Sequence, residues 1–188
     1  MTRRPLAIAV CAPNEAASEV LAIAEAIGAE IARAGCILVT GGLGGAVEAA
    51  CRGAKAQNGT TLGILPGYDH AAANPWVDHV ICTGLGQARN TLVVATSNAV
   101  IAVGGGVDTL AELAIALRLG RPVVAIGEWA AVFMEQIAAE ALSGGSPVPG
   151  TLYLAETVET AVEAAISAAT TATEENAHEQ LDAAVRRV

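Results

Sequence analysis

The sequence has few aromatic residues and little positive charge. Only five of its 188 residues are Phe, Trp or Tyr, so large rings cannot dominate its core. It is 53% hydrophobic and contains 42 alanines and 20 glycines, which favours a folded domain of closely packed helices over a disordered chain. A chain of this length fits one compact domain.

The sequence also lacks the marks of membrane, secreted, nucleic-acid-binding and metal-binding proteins. Gly, Asn, Ser or a charged residue interrupts every candidate membrane span, and the N-terminus leads directly into a strand-like segment without a signal peptide. The formal net charge of −9 opposes nucleic-acid binding, which needs a basic surface. The four cysteines form no CxxC pair, and the three histidines have no metal-ligand spacing. We therefore expect a cytoplasmic protein without a metal, nucleic-acid or membrane partner.

Strand-like and helix-like segments alternate along most of the chain. Near-continuous apolar strands separated by helices predict a single doubly wound, Rossmann-like α/β domain, a parallel sheet with helices on both faces. We expect this domain to span residues 1–170 and a polar tail to follow at residues 171–188. Predicted strands cover residues 6–10, 36–40, 60–65, 79–82, 99–103 and 122–126; predicted helices cover residues 16–34 (capped by Asn14), 46–57, 88–97, 109–119, 130–142 and 157–170.

The first candidate site is a glycine-rich turn after the second strand, formed by Gly41, Gly42, Gly44 and Gly45. Ligands of parallel sheets bind at the carboxyl ends of the strands, which is where this turn lies. Its glycines would let a ligand approach the backbone, and the following helix start offers free N–H groups to an anion. The alternative is a tight turn that binds nothing.

A second glycine-rich turn follows the strand at residues 99–103. Gly104, Gly105 and Gly106 would cradle a phosphate, with the hydroxyl of Thr109 beside them at the helix start. The alternative is a capping box, in which Thr109 and Glu112 only satisfy the backbone of the helix.

Arg89 opens a helix that lies between these two turns in sequence. Residues 91–95 are almost wholly apolar, which predicts a largely buried helix with the guanidinium facing a cleft. The planar fork of arginine suits a phosphate or a carboxylate.

Five motifs occur in a fixed order and together resemble a known superfamily. They are Gly41-Gly-Leu-Gly-Gly-Ala-Val-Glu48, Gly63-Ile-Leu-Pro66, Ala73-Asn-Pro-Trp-Val-Asp78, Thr83-Gly-Leu-Gly-Gln-Ala-Arg-Asn90 and Gly104-Gly-Gly-Val-Asp-Thr-Leu-Ala-Glu112. They resemble the Rossmann-like proteins once labelled "possible lysine decarboxylases", across about residues 5–170. That superfamily includes the "lonely guy" cytokinin-activating phosphoribohydrolases and the molybdenum cofactor carrier proteins. Lysine decarboxylation is not expected, because Lys55 is the only lysine and does not lie where a pyridoxal Schiff base would need one.

The resemblance implies roles for particular residues. In the phosphoribohydrolases an Arg and a Glu act on the ribose side of a nucleoside 5′-monophosphate, so Arg89 and Glu112 would be catalytic if this chain is an enzyme. The resemblance and the two turns together give one predicted ligand-binding set: Gly41, Gly42, Gly44, Gly45, Arg89, Asn90, Gly104, Gly105, Gly106, Asp108, Thr109 and Glu112.

Three departures separate this sequence from the phosphoribohydrolases. Asn90 stands at their Lys position, Gly104 at their Pro position and Asp108 at the Gly before their Thr. The first two resemble the carrier-protein branch, and a carboxylate at residue 108 would repel a phosphate by about 1–4 kcal/mol. We therefore expect a binding or carrier protein for the molybdenum cofactor or a nucleotide, without a required cofactor. The alternatives are a phosphoribohydrolase and an oligomeric scaffold with a degenerate site.

The predicted helix at residues 109–119 indicates self-association. Between Leu110 and Leu119 only Glu112 and Arg118 are polar, whereas a surface helix carries a broad polar back. One side should pack on its own sheet and the other on a second chain, which predicts a homo-oligomer, a dimer or a tetramer. A charge at Ile115 or Ala116 is expected to split it.

Overall fold

Seven strands form one parallel sheet in the computed structural model, which describes residues 4–127, Trp129, Val132 and 150–185, and of residues 174–185 the backbone. The strands are β1 Ala7–Cys11, β2 Ile37–Thr40, β3 Thr60–Leu65, β4 His79–Cys82, β5 Ala99–Val103, β6 Val123–Ile126 and β7 Leu152–Ala155. The α-helices described are α1 Ser18–Arg33, α2 Ala46–Ala56, α3 Asn90–Thr96, α4 Val107–Arg118 and α5 Val158–Val185. Short 3₁₀ helices lie at His70–Ala72 and Gly86–Arg89. The predicted Rossmann-like α/β fold is confirmed.

The strand order β4-β3-β2-β1-β5-β6-β7 places the topological switch between β1 and β5. Ala9 of β1 is paired with Val39 of β2 on one side and with Val100 of β5 on the other. The chain runs outward from this point in both directions, so the connections after β1 and β5 leave on opposite sides. A crevice opens at the carboxyl ends of the two strands, which is the usual ligand position in open α/β sheets.

Small residues let the helices approach the sheet and one another closely. The apolar faces of α1, α2 and α5 cover one side of the sheet, and α3 and α4 cover the other. Where α1 crosses α2, a Cβ on Gly28 would overlap the carbonyl oxygen of Ala50, and a Cβ on Gly53 would overlap that of Glu25. Alanines such as Ala24, Ala50 and Ala54 therefore form part of a densely packed core.

The structure corrects several predicted boundaries. The helix predicted at residues 88–97 is a 3₁₀ turn, Gly86–Arg89, followed by α3, and only the Asn90, Val93 and Val94 side of α3 is buried. The predicted helix at residues 157–170 continues to Val185, whereas the proposed domain limit at residue 170 stays a prediction. The helix predicted at residues 130–142 lies outside the described residues except for Val132.

Two local predictions were wrong for identifiable reasons. Asn14 does not cap α1, because the cap position is Ala17 and carries no side-chain hydrogen bond. Strand β7 was missed: Tyr153 and Leu154 on this edge strand are exposed, and the strand follows a Gly/Pro-rich stretch that resembles a loop.

The remaining class predictions concern cysteines, membranes and metals. All four cysteines are free thiols, and Cys11, Cys36 and Cys51 are buried, as expected of small apolar residues. No helix in the described part of the chain has the length and apolar character to cross a membrane. Nor do the described residues bring three or more His, Cys, Asp or Glu together as metal ligands.

Candidate functional site

A cleft lies at the carboxyl ends of β1, β2 and β5, at the switch point of the sheet. Among its lining residues, six from four chain segments determine its chemistry: Cys11, Gly41, Arg89, Asn90, Asp108 and Glu112. Five of these belong to the set predicted from sequence, and Cys11 does not. Segments separated by almost 100 residues therefore meet at one small site.

Arg89 is a buried cation that forms no ion pair with any described residue. Its residue is only 7% exposed, and its Nε has no hydrogen-bond partner. The ion pairs among the described residues involve Arg33, Arg52 and Lys55 instead. Burial lowers the pKa of Arg89, and the charge of Glu112 opposes that shift. The carboxylate oxygens of Glu112 lie more than 4.0 Å from the guanidinium nitrogens. A guanidinium in this position is suited to pair with an anion that enters the cleft.

The backbone before Arg89 fixes the position of its side chain. Gly84 and Gly86 both have positive φ, 67° and 55°, which a residue with a Cβ adopts at a cost. The N–H of Gly84 donates to the carbonyl of Gly67, and the N–H of Gly86 donates to that of Pro66. This loop is therefore fixed to the end of β3, and the Arg89 guanidinium lies against the backbone of Gly41. A Cβ added at Gly41 would lie 2.6 Å from Arg89 Nη2.

Asn90 follows directly and contributes a second unpartnered polar atom. The residue is 7% exposed, and its Oδ1 accepts no hydrogen bond. Buried polar groups are nearly always paired, and leaving one unpaired costs about 1–3 kcal/mol. Adjacent residues thus place a buried donor and a buried acceptor without partners at the cleft.

Glu112 lies in α4 with its side chain in the same cleft and is 8% exposed. Burial raises the pKa of Glu112 to about 7; a hydrogen bond from the Cys11 thiol and the charge of Arg89 hold it lower, and Asp108 pushes it higher. Burial, together with the carboxylate of Glu112, raises the pKa of Cys11 well above its usual value, so Cys11 is present as a neutral thiol. The carboxyl group can therefore change its charge near neutral pH.

The first glycine turn is preorganised by its own hydrogen bonds. The N–H of Gly42, at φ 74°, donates to Thr40 Oγ1 over 3.1 Å, and Asn74 Nδ2 donates to the carbonyl of Leu43 over 2.9 Å. Gly45 has φ 72° and lies against the backbone of Asn14, so a Cβ there would overlap the Asn14 carbonyl. Gly44 is exposed. The four glycines thus serve different purposes, and Gly41 is the one that contacts Arg89.

The three glycines of the second turn lie outside the lining of the Arg89 cleft, and Gly104 instead lines a groove with Val20 and Ile126. Gly104 has φ 65°, and Gly105 lies against the ring of Trp129, where a Cβ would come within 2.6 Å of Cδ2. Gly105 and Gly106 line an apolar groove with Val107 rather than the Arg89 cleft.

Helix α4 starts earlier than predicted, which excludes the capping box. Gly106 is its cap residue, so Thr109 and Glu112 are both inside the helix. Asp108 has no positive φ, is exposed, and lines the cleft in the first turn of the helix. It replaces glycine in the family pattern without backbone strain, because its φ is not positive, but it adds a negative charge near Arg89.

Sequence analysis missed Cys11 as a site residue. It is the last residue of β1, and Pro13 and Asn14 follow it along the cleft. The available signal was its position at the carboxyl end of β1, the strand beside the switch point of the sheet.

One side of α4 is apolar and is left uncovered by the described part of the chain. Leu113, Ala116 and Leu117 are buried in the chain's own core, whereas Val107 is 84% exposed and Leu110 39%. Ala111 and Ala114, which follow Leu110 in the helix, are also exposed. The substitution sites that we chose from sequence were wrong, because Ala116 is fully buried and Ile115 packs against the core.

Comparisons with known proteins place these features in context. The family model for the SLOG cluster4 family matches residues 5–162. The molybdenum cofactor binding protein of the phototrophic bacterium Rippkaea orientalis is 36% identical, with a TM-score of 0.77, and the molybdenum cofactor carrier protein of Chlamydomonas reinhardtii is 35% identical, with a TM-score of 0.76. Each comparison covers 88% of this chain and 98% of the other.

A curated enzyme is a more distant relative. The cytokinin riboside 5′-monophosphate phosphoribohydrolase of Mycobacterium tuberculosis is 33% identical over an alignment 133 positions long, which covers 63% of this chain and 68% of that protein. Both branches named from the five motifs are therefore among the relatives, which confirms the resemblance.

Proposed function

The chain belongs to the SLOG cluster4 family, and we propose that it binds and carries a small phosphorylated ligand. The molybdenum cofactor is the ligand that we favour, and a nucleotide is the second choice. Two structural relatives are described as binding or carrying that cofactor, and this chain spans 98% of each. The ligand is cargo in this proposal: a pterin with ring N–H groups, a terminal phosphate and a dithiolene that holds molybdenum.

The unpaired Arg89 in the cleft is the observation that carries this proposal. Burying an unpaired charge costs several kcal/mol, and an anion that reaches the guanidinium removes much of that cost. Asn90 Oδ1 offers an acceptor to an N–H of the ligand, and α4, whose first turn carries N–H groups without helical partners, begins beside the cleft at Asp108. These residues fit a ligand that has both an anionic group and N–H donors.

Purification from cells that synthesise the cofactor tests the proposal. The protein is heat-denatured, and released pterin is oxidised and quantified by its fluorescence and mass. We expect a pterin phosphate with the unaltered chain, much less with Arg89→Ala, and an unchanged amount with Arg118→Ala, since Arg118 is exposed on α4 outside the cleft. Equal loading of the Arg89 variant would contradict the proposal.

A phosphoribohydrolase is the second candidate, because Arg89 and Glu112 match its functional positions and lie in one cleft. Asn90 in place of lysine removes a positive charge, and Asp108 adds a negative one. We therefore expect little or no base release from AMP or a cytokinin ribotide. Release at an enzyme-like rate that is lost in both Arg89→Ala and Glu112→Ala would reverse the order of the two candidates. A chain that retains no small molecule and turns over neither substrate would favour the scaffold.

We also propose that the uncovered side of α4 joins two copies of the chain. Val107 and Leu110 would otherwise expose apolar area beside an apolar groove at Gly105 and Gly106. Helix α4 also carries Asp108 and Glu112 on its other side, so assembly would lie next to the ligand cleft.

A further inference from the structure

Glu112 is a buried carboxyl group that the proposed anion site must accommodate. Three groups face it from the elements packed around it: the Cys11 thiol at the end of β1, the Arg89 guanidinium before α3, and the Asp108 carboxylate one turn earlier in α4. No residue in the described part of the chain pairs with it within 4.0 Å as a salt bridge.

The charge in this cleft depends on the state of Glu112. With Glu112 ionised, the cleft contains one positive and two negative side chains, and a phosphate dianion would enter against a net negative charge. With Glu112 protonated, one negative charge is gone and its O–H becomes a donor that can point at an anion oxygen. Because the pKa of Glu112 lies at about 7, both states are populated near neutral pH.

We infer that an anion and a proton bind this cleft together: the anion pairs with Arg89, and Glu112 takes a proton from solvent and becomes a hydrogen-bond donor to the anion. This inference rests on the proposed function, because it requires that the cleft admits an anion. Glu112 is therefore a positioning and charge-setting residue, and the cleft holds anionic cargo more tightly in mildly acidic than in alkaline solution.

The test uses inorganic sulfate, which stays a dianion between pH 6 and 9 and so contributes no titration of its own. Sulfate affinity is measured by calorimetry and by thermal shift at four pH values, and the Arg89→Ala variant provides the general salt effect to be subtracted. We expect the Arg89-dependent affinity to fall by up to about tenfold per pH unit above pH 7, which is the limit for uptake of one proton.

Three variants separate this effect from a structural one. Sulfate binding by Glu112→Gln should not depend on pH. Glu163 is an exposed carboxylate on α5, so Glu163→Gln should keep the decrease of sulfate affinity with pH. In Asp108→Asn the sulfate affinity should still decrease with pH, but the decrease should begin at lower pH, because Asp108 raises the pKa of Glu112.

The outcomes distinguish the inference from the proposed function. Arg89-dependent binding with the same slope in the unaltered chain and in Glu112→Gln would overturn the inference and leave the anion site in place. Absence of any Arg89-dependent sulfate binding from pH 6 to pH 9 would overturn the anion site itself.

Discussion

A methyl group at Gly41 should separate ligand binding from folding. An added Cβ would lie 2.6 Å from Nη2 and 2.8 Å from Cζ of Arg89, closer than van der Waals contact permits. The obstacle is the end of a flexible side chain, and Gly41 is not among the glycines with positive φ. The backbone can therefore keep its conformation in Gly41→Ala, and the guanidinium has to leave its place.

The size of the effect follows from the bonds that are lost. A hydrogen bond to a charged group contributes about 1.5–3 kcal/mol, so displacing one guanidinium–anion bond should weaken binding by roughly 10- to 150-fold. Stability should change little, since Gly→Ala at a compatible position stabilises a protein by about 0.4–1 kcal/mol through the unfolded state.

The assay compares two neighbouring glycines. Urea unfolding and the amount of co-purified ligand are measured for Gly41→Ala and Gly45→Ala. At Gly45 the new Cβ would overlap the backbone of Asn14 and the φ of 72° is unfavourable, so this variant should lose stability. A Gly41→Ala chain that retains its ligand, or that unfolds as readily as the Gly45 variant, would refute the placement of Arg89 on Gly41.

Two further predictions concern stability and assembly. Folding raises the pKa of Glu112 from 4.5 to about 7, so the free energy of unfolding should fall as pH rises through that range. Glu112→Gln should therefore be about 3 kcal/mol more stable than the unaltered chain at pH 8 and no more stable below pH 4. Urea titrations at both pH values measure the difference. Ala114→Asp should reduce the mass found by light scattering to about 19 kDa without unfolding the chain, whereas Ala116→Asp should unfold it; a monomeric unaltered chain would contradict the proposed assembly.

The sheet could be predicted because its strands are apolar along their whole length. Residues such as Val100, Ile101 and Val124 are covered on both faces, which leaves an uninterrupted apolar run in the sequence. Strand β7 has no such run, since it lies at the edge and exposes Tyr153 and Leu154. Edge position is a property of the assembled sheet and leaves little trace in a four-residue segment.

The site was predictable in its parts but not in its contacts. Glycine at residue 41 and arginine at residue 89 were each conspicuous, because each followed a strand or opened a helix. The meeting of Cys11 with Glu112 depends on the pairing of β1 with β5, which brings residues 101 positions apart to the same edge. Local pattern carries no information about that pairing, so the raised pKa of Glu112 could not be foreseen.

The crossing of α1 and α2 restricts how this sequence can change over generations. At Gly28 and Gly53 even one methyl group would enter the backbone of the facing helix, so neither position has a tolerated single substitution. An exposed alanine such as Ala114 could become serine with little effect on stability, but glycine cannot become alanine at either of these two sites. Drift in this lineage should therefore spare the two glycines even in descendants that lose the ligand, because they maintain the fold and not the cleft.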